Sequence, residues 1–179
     1  MSCPNWLLPP IESLTVFPID KIAQQLSRIC RYAGATPHFY SVARHSLLVA
    51  DLIGDDPELR LAGLVHDAHE CWIGDMLLPA KEVVGDALEH LSAYYDERIH
   101  AMVGVRLGDF SRTLVAAADK TACHLEMEWL GKSSDIIAFA RFKYEAQNKH
   151  LTAEYTQAAD AMLWACAVDQ CRKDMKGAT

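Results

Sequence analysis

Ionisable side chains concentrate in the segment Leu64–Asp75 (LVHDAHECWIGD). His66 and Asp67 are adjacent, and Glu70 follows four residues after His66. On a helix, residues at this spacing project to one side. The flanking residues are apolar, and burying charged groups without partners is costly. We therefore expect these three side chains to face solvent, a cleft or a metal ion.

Two further potential metal ligands stand alone in apolar stretches elsewhere in the chain. His45 interrupts the core-like run SVARHSLLVA, and Asp119 ends the stretch LVAAAD. Each of them alone is more typical of a solvated residue than of a ligand, and the segment at His66 could be the polar side of a surface helix. Together, however, three helical segments each offer a metal-type ligand from an apolar background.

The pattern around these residues is helical almost throughout, because apolar positions recur with a 3.6-residue period. Ser41 is expected to cap a helix that runs to about Ile53, and Asp56 with Pro57 to open another that runs to about Trp72. The other predicted helices cover 19–33, 80–107, 111–130, 133–147 and 150–172, and predicted loops cover 34–40 and 74–79. Alternating strand patterns are missing. We predict an all-α fold, a compact bundle of about six to eight helices, in a single domain over 1–179.

The composition and charge of the chain exclude some classes of function. Hydrophobic residues make up 51% of the chain, the net charge is −7 and the pI is about 5.5. An acidic chain is a poor general binder of nucleic acid, and no apolar run reaches the length of a membrane span. The six cysteines form no CxxC pair. Without a visible export signal, reduced thiols in a cytoplasmic protein are expected.

The order His … His-Asp … Asp resembles the HD-domain metal-dependent phosphohydrolases. The resemblance extends over about residues 18–130 and includes more than the ligands. The matching blocks are Phe39–Ser46, Val65–Glu70, Gly74-Asp75 with Pro79–Lys81, and Ala118-Asp119 followed by Glu126. As a set they resemble the small bacterial and phage deoxynucleotide hydrolases.

The resemblance implies that His45, His66, Asp67 and Asp119 hold one divalent transition metal ion. Two imidazoles and two carboxylates suit Co²⁺, Mn²⁺, Zn²⁺, Fe²⁺ or Ni²⁺. Such an ion lowers the pKa of bound water and offsets phosphoryl charge. Whether additional divalent ions arrive with the substrate phosphates is left open.

The resemblance also assigns roles to five other residues. Glu70 is expected to orient or deprotonate the attacking water, and Asp75 to assist near the leaving oxygen. Arg31 is assigned to phosphate and Tyr32 to the sugar or base. Lys81 is a second phosphate candidate, for which a solvated lysine at a helix start is the alternative.

The expected function is that of a metal-dependent deoxynucleotide phosphohydrolase that shapes the nucleotide pool. The short interval between His45 and His66 looks closest to the phage dATP triphosphohydrolases, which convert dATP to deoxyadenosine plus triphosphate. The alternatives are a 5′-deoxynucleotidase acting on dNMPs and a non-catalytic nucleotide-binding HD module. The expected partner is a small-molecule deoxynucleotide, with no nucleic acid and no membrane, and a homo-oligomer is expected by analogy.

Overall fold

The computed structural model describes residues 18–36, 39–130 and 157–177, and these residues confirm the all-α fold. The helices are α1 (Ile19–Leu26), α2 (Val42–Ile53), α3 (Pro57–Val65), α4 (Glu70–Ile73), α5 (Leu78–Val84), α6 (Asp86–Val103), α7 (Asp109–Leu130) and α8 (Gln157–Gly177). A short 3-10 turn covers Arg31–Gly34. Within these ranges there is no strand, only one isolated bridge between Cys30 and Ser41.

Side-chain caps begin the two central helices, as the sequence predicted. The Ser41 hydroxyl accepts a hydrogen bond from the backbone N–H of Arg44 at 3.1 Å. The Asp56 carboxylate accepts one from the backbone N–H of Leu59 at 2.8 Å, and Pro57 occupies the first turn of α3. The starts of α2 and α3 are therefore defined by local chemistry.

The core forms where α1, α2 and α3 pack beneath the C-terminal helix α8. Trp164 of α8 is fully buried, and its indole N–H donates to the backbone carbonyl of Leu64 at 2.8 Å. Helix α7 packs on the other side of α2 and also contacts α3. This arrangement holds α2, α3 and α7 side by side, and these are the elements that position the candidate site.

The first helix is shorter than the predicted range 19–33. It ends at Leu26. The N–H groups of the next three residues still bond back to Ala23 and Gln25, and beyond them the backbone bonds to residues 40–42. Val42 N–H donates to the carbonyl of Ile29 at 3.1 Å, and Arg31 N–H donates to the carbonyl of Tyr40 at 2.8 Å. These long-range bonds replace the helical ones.

The predicted helix to Trp72 is interrupted. Helix α3 ends at Val65, and turns with i→i+3 hydrogen bonds lead into α4. The His66 side chain contributes to this ending, because its Nδ1 atom bonds to the carbonyl of Gly63 at 2.8 Å. The ionisable cluster therefore lies in the connection between two helices rather than along one helix face.

The predicted helix 80–107 is two helices, α5 and α6, separated at Gly85. Gly85 has φ +59, a left-handed conformation that a glycine adopts without steric cost. Helix α5 begins at Leu78, so the preceding loop is shorter than predicted. The predicted helix 133–147 lies outside the described residues, and of the predicted helix 150–172 the structure describes α8, which extends to Gly177. No helix within the described ranges combines the length and apolar character needed to cross a membrane.

Candidate metal centre

His45 lies in the first turn of α2 and is completely buried. Its Nδ1 atom lies 2.7 Å from Glu126 Oε1, and its Nε2 atom lies 3.0 Å from Asp119 Oδ1 and 3.5 Å from Asp67 Oδ2. Because a carboxylate can only accept, the Nδ1–H of His45 donates a hydrogen bond to Glu126. The other nitrogen of the ring is thereby directed at two carboxylates from different helical segments.

His66 is oriented in the same way, at the end of α3. A backbone carbonyl can only accept, so the 2.8 Å contact with Gly63 requires a proton on Nδ1. Its Nε2 atom lies 3.1 Å from Asp67 Oδ2 and 3.8 Å from Asp119 Oδ1. The His45 and His66 ring centroids are 5.2 Å apart. Both Nε2 atoms thus point into one cluster formed with Asp67 and Asp119.

These four residues fit a divalent metal ion. The Nε2 atoms of both histidines are buried and make no hydrogen bond of acceptable geometry within the described residues. Buried polar atoms are rarely left without partners. When Nδ1–H donates to a carboxylate or a carbonyl, Nε2 is the free ligand atom, as is usual for metal-binding histidines. The 39% exposure of the Asp119 side chain leaves the cluster open on one side.

Charge balance within the cluster agrees with this assignment. Burial would raise the pKa of Asp67, but the nearby His66, His45 and Arg31 hold it well below its usual range. Burial likewise opposes ionisation of Asp119, yet the close approach of the His45 and His66 rings lowers its pKa. Both carboxyl groups are therefore ionised and available as ligands at neutral pH.

The carboxylate of Glu126, on α7, contacts several side chains next to the cluster. Its side chain is buried, and it accepts hydrogen bonds from Tyr40 Oη at 3.0 Å and Tyr32 Oη at 2.5 Å in addition to His45. Arg31 Nε lies 3.5 Å from the same carboxylate. This network determines the ring orientation of His45.

Arg31 and Tyr32 lie beside the cluster in the 3-10 turn. Arg31 is buried, and its Nη1 atom donates to Asp67 Oδ2 at 3.3 Å. Tyr32 and Ala33 have φ values of 58 and 51, which is strained for residues with a Cβ. Asp75 supports this turn, because its carboxylate accepts a hydrogen bond from the Tyr32 backbone N–H at 2.9 Å.

Glu70 begins α4 next to the cluster. It is 1% exposed, and neither of its carboxyl oxygens forms a hydrogen bond within the described residues. Lys81 Nζ is 3.7 Å from Oε1. Burial and the charges of Asp67 and Asp75 raise the pKa of Glu70 to about 9. Glu70 and Lys81 both line a 490 Å³ cavity with an apolar wall that includes Ile73 and Leu88.

Two side chains near the cluster were not predicted as site residues. His69 also lines the cavity, and its Nδ1 atom lies 2.9 Å from Asp96 Oδ1 on α6. Cys123 lies one helical turn after Asp119 on α7, and its Sγ atom is 3.5 Å from Asp119 Oδ1. The i, i+4 spacing of Asp119 and Cys123 was a usable signal for the cysteine. No local pattern links His69 to Asp96.

The structure thus brings all nine predicted site residues into one region. The Nε2 atoms of His45 and His66 each lie within 3.8 Å of carboxylate oxygens of Asp67 and Asp119. Arg31 contacts Asp67, and Lys81 contacts Glu70. Tyr32 and Asp75 are joined to each other at the edge of this region. Their presence together supports a single site.

Comparison with known proteins identifies two bacterial relatives. The chain is 35% identical over 133 residues to an uncharacterised protein of Rhodobacter capsulatus, a match that covers 67% of this chain and 66% of that protein. It is 37% identical over 90 residues to the uncharacterised protein YfdR of Escherichia coli, covering 50% of this chain and 47% of that protein. No protein-family model matches. The chain is therefore similar to two proteins whose names state no activity, and it spans just under two thirds of one and less than half of the other.

Proposed function

We propose that this chain is an HD-type, metal-dependent phosphohydrolase that acts on deoxynucleotides. One observation carries the proposal: the buried, unpartnered Nε2 atoms of His45 and His66 converge on the carboxylates of Asp67 and Asp119. The order of these residues along the chain is that of the HD hydrolases, and the buried carboxyl of Glu70 lies beside them.

His45, His66, Asp67 and Asp119 would hold the metal ion. Mixed imidazole and carboxylate ligands favour a divalent transition metal such as Co²⁺, Mn²⁺, Zn²⁺, Fe²⁺ or Ni²⁺. When bound, such an ion polarises a phosphoryl oxygen and makes water a better nucleophile at neutral pH. Glu126 and the Gly63 carbonyl keep the two imidazoles oriented toward it.

Glu70 is the proposed general base. Its carboxylate accepts a proton from the water molecule that attacks phosphorus. Burial and the neighbouring acidic groups raise its pKa to about 9, so without a bound cation the group is protonated at neutral pH. A metal ion held beside it would favour the ionised form that accepts the proton. Lys81 favours the ionised form, since its ammonium group is 3.7 Å from Oε1. A module that only held metal would have no need of a buried carboxyl at this position whose oxygens accept no hydrogen bond from the described part of the chain.

Arg31 and Lys81 are the proposed phosphate-binding cations. They approach the cluster from different elements, Arg31 through Asp67 and Lys81 through Glu70. Asp75 is proposed to act near the leaving oxygen, and Tyr32, whose backbone it binds, to contact the sugar or base. Because one hydrogen bond joins Asp75 to Tyr32, a change at either residue is expected to disturb the other.

The proposed reaction converts dATP to deoxyadenosine and triphosphate. A 5′-deoxynucleotidase that acts on dNMPs is the second candidate, and it would cleave the same bond between phosphorus and the 5′-oxygen. One observation favours the 5′-deoxynucleotidase, namely that basic side chains near the cluster already form ion pairs with carboxylates. Arg44 binds Asp160 with two nitrogens, and Arg31 and Lys81 contact Asp67 and Glu70. A triphosphate tail would then depend on divalent ions that arrive with the substrate. From the same resemblance we propose a cytoplasmic homo-oligomer.

Product analysis tests the reaction. The purified chain would be incubated with Co²⁺ or Mn²⁺ and with each dNTP and dNMP separately, and the products resolved by ion-exchange chromatography. Deoxyadenosine plus triphosphate from dATP is the expected result. Phosphate from several dNMPs with intact dNTPs would instead establish the 5′-nucleotidase. Release of no deoxynucleoside from any substrate would refute both reactions.

Glu70→Gln tests the mechanism. The substitution keeps the size of the side chain but removes the base, so turnover should fall by roughly 10²–10⁴-fold. Metal affinity, measured by isothermal titration calorimetry, should stay near that of the unmodified chain, because Glu70 is not a proposed ligand. Glu97→Gln on α6 is the matched control, an exposed carboxylate outside the site, and should retain full activity. Undiminished turnover in Glu70→Gln would remove this residue from the mechanism.

A further inference from the structure

Cys123 lies close enough to the cluster to reach a metal ion there. Its Sγ atom, a nitrogen of His45 and a carboxylate oxygen of Asp119 all lie within 4.8 Å of one another. The thiol donates a hydrogen bond to Asp119 Oδ1 at 3.5 Å and accepts one from Arg31 Nη2 at 3.4 Å. The sulfur is therefore next to a proposed ligand and next to a fixed positive charge.

A second observation, independent of the position of Cys123, also indicates a bound ligand at this part of the cluster. His45 is 0% exposed, and its Nε2 atom has no hydrogen-bond partner within the described residues. Its position on α2 is independent of the placement of Cys123 on α7. A buried imidazole nitrogen, a carboxylate and a sulfur that face a common point form a donor set for an ion that accepts nitrogen, oxygen and sulfur ligands.

We propose that the Cys123 thiolate is an additional ligand of the metal ion in this centre. The inference rests on the proposed metal centre and deepens it by specifying which ions the centre prefers. Thiolate ligands favour Zn²⁺, Co²⁺ and Cd²⁺ over the harder Mn²⁺ and Mg²⁺. The site therefore selects thiophilic ions, which a centre of two imidazoles and two carboxylates alone does not do to the same degree.

Coordination changes one bond at Cys123. The S–H bond breaks, the proton passes to solvent, and the sulfur binds the metal ion as a thiolate. Arg31 Nη2 can continue to donate to the sulfur. Burial and the Asp119 carboxylate raise the pKa of the free thiol to about 12, so the bound cation would be the group that favours the thiolate. Adjacent ligand atoms around a five- or six-coordinate ion are roughly 3–3.5 Å apart. Cys123 Sγ lies within 4.8 Å of the ligand atoms of His45 and Asp119. A shift of roughly 1–2 Å therefore brings the sulfur to ligand spacing with these two residues, and side-chain rotation can supply it.

Cobalt spectroscopy on the full chain tests the proposal. Co²⁺ bound to protein ligands shows visible d–d bands, and a thiolate ligand adds a charge-transfer band in the near ultraviolet. The metal-free chain titrated with Co²⁺ should show both features. Cys123→Ser should keep the d–d bands and lose the charge-transfer band. Cys166→Ser is the matched control, an exposed cysteine on α8, and should keep both.

Competition titrations provide a second readout. The ratio of Zn²⁺ affinity to Mn²⁺ affinity should fall by on the order of tenfold or more in Cys123→Ser. Circular dichroism of both variants should match that of the unmodified chain, which shows that they fold.

Each other outcome has a distinct meaning. Visible d–d bands without charge transfer in the unmodified chain would overturn the thiolate ligand and leave the metal centre intact. A charge-transfer band that persists in Cys123→Ser would assign the sulfur to another cysteine and also overturn the proposal. The absence of all cobalt bands would refute the metal centre itself, and the thiolate ligand with it.

Discussion

At the scale of single residues, the site depends on how the unused nitrogen of each histidine is bound. Glu126 binds Nδ1 of His45, and the Gly63 carbonyl binds Nδ1 of His66. These partners lie outside the proposed ligand set, yet they decide which nitrogen faces the metal. Glu126 has the larger influence, because two tyrosine hydroxyls and Arg31 also contact its carboxylate.

Glu126→Gln should weaken metal binding by about 10–100-fold. The amide can still occupy the position, but it loses the charge that holds the His45 Nδ1–H and the cation of Arg31. Calorimetric titration with Co²⁺ or Mn²⁺ measures the change. Tyr40→Phe removes one donor to the same carboxylate and should have a smaller effect. An unchanged affinity in Glu126→Gln would show that Glu126 does not orient His45.

At the scale of elements, the contact between α2 and α3 sets the separation of the two histidines. Gly63 lies at this crossing, where a Cβ atom would be 2.5 Å from Ile53 Cδ1 and 3.3 Å from Ala50 Cα. A side chain at this position therefore requires the Ile53 side chain to move and the α2 backbone at Ala50 to give by a few tenths of an ångström. The same residue provides the carbonyl that orients His66, so helix packing and ligand orientation are coupled at one position.

Gly63→Ala should lower the free energy of unfolding by about 1–3 kcal/mol, because the new methyl group pushes α3 away from α2. The better helix propensity of alanine offsets only about 1 kcal/mol. Ile53→Val removes the nearest atom, so the double variant should be more stable than the sum of the single changes predicts. Urea unfolding measures all three variants.

Gly108→Ala is the control for this series, because no atom lies within 4 Å of its added Cβ. Its stability should match that of the unmodified chain. Additive effects of Gly63→Ala and Ile53→Val would show that the crossing is looser than the structure indicates.

At the scale of the whole molecule, the C-terminal helix closes the core over the helices that carry the site. Helix α8 packs on α1, α2 and α3. Trp164 binds the Leu64 carbonyl, two residues before His66, and Asp160 binds the guanidinium of Arg44, one residue before His45. Each proposed histidine ligand therefore has a neighbour in the chain that α8 holds in place.

Trp164→Phe should reduce the free energy of unfolding by about 1–3 kcal/mol. The smaller ring leaves the buried Leu64 carbonyl without its donor, which costs the desolvation of that group, and leaves part of the indole volume empty. Met162→Ala is the control on the same helix. Met162 is 61% exposed, so its truncation should change stability by less than about 0.5 kcal/mol. Equal urea midpoints for the two variants would argue against close docking of α8.

Features that depend on residues close together in the chain could be predicted from the sequence alone. The apolar period predicted the all-α fold, and the caps at Ser41 and Asp56 begin their helices as expected. The candidate ligands were also recognisable, because an ionisable residue in an apolar helix is conspicuous and the order of these residues resembles a known family. Each of these features depends on residues within a few positions of one another, where helical geometry determines the spacing.

Other features depend on contacts between distant parts of the chain. The helix predicted over 19–33 does not continue through Ile29 and Arg31, because their backbone groups bond to Val42 and Tyr40. His45 and Asp119 meet because α2 packs against α7, and the same packing brings Glu126 and Cys123 to the cluster. Burial and charge at such contacts come from side chains far apart in sequence, and no local pattern encodes them. The sequence by itself determined the all-α class, the capped starts of α2 and α3, and the candidate ligands. The tertiary structure decided where α1 and α3 end and which ligand atoms approach one another, because packing between distant segments sets those distances.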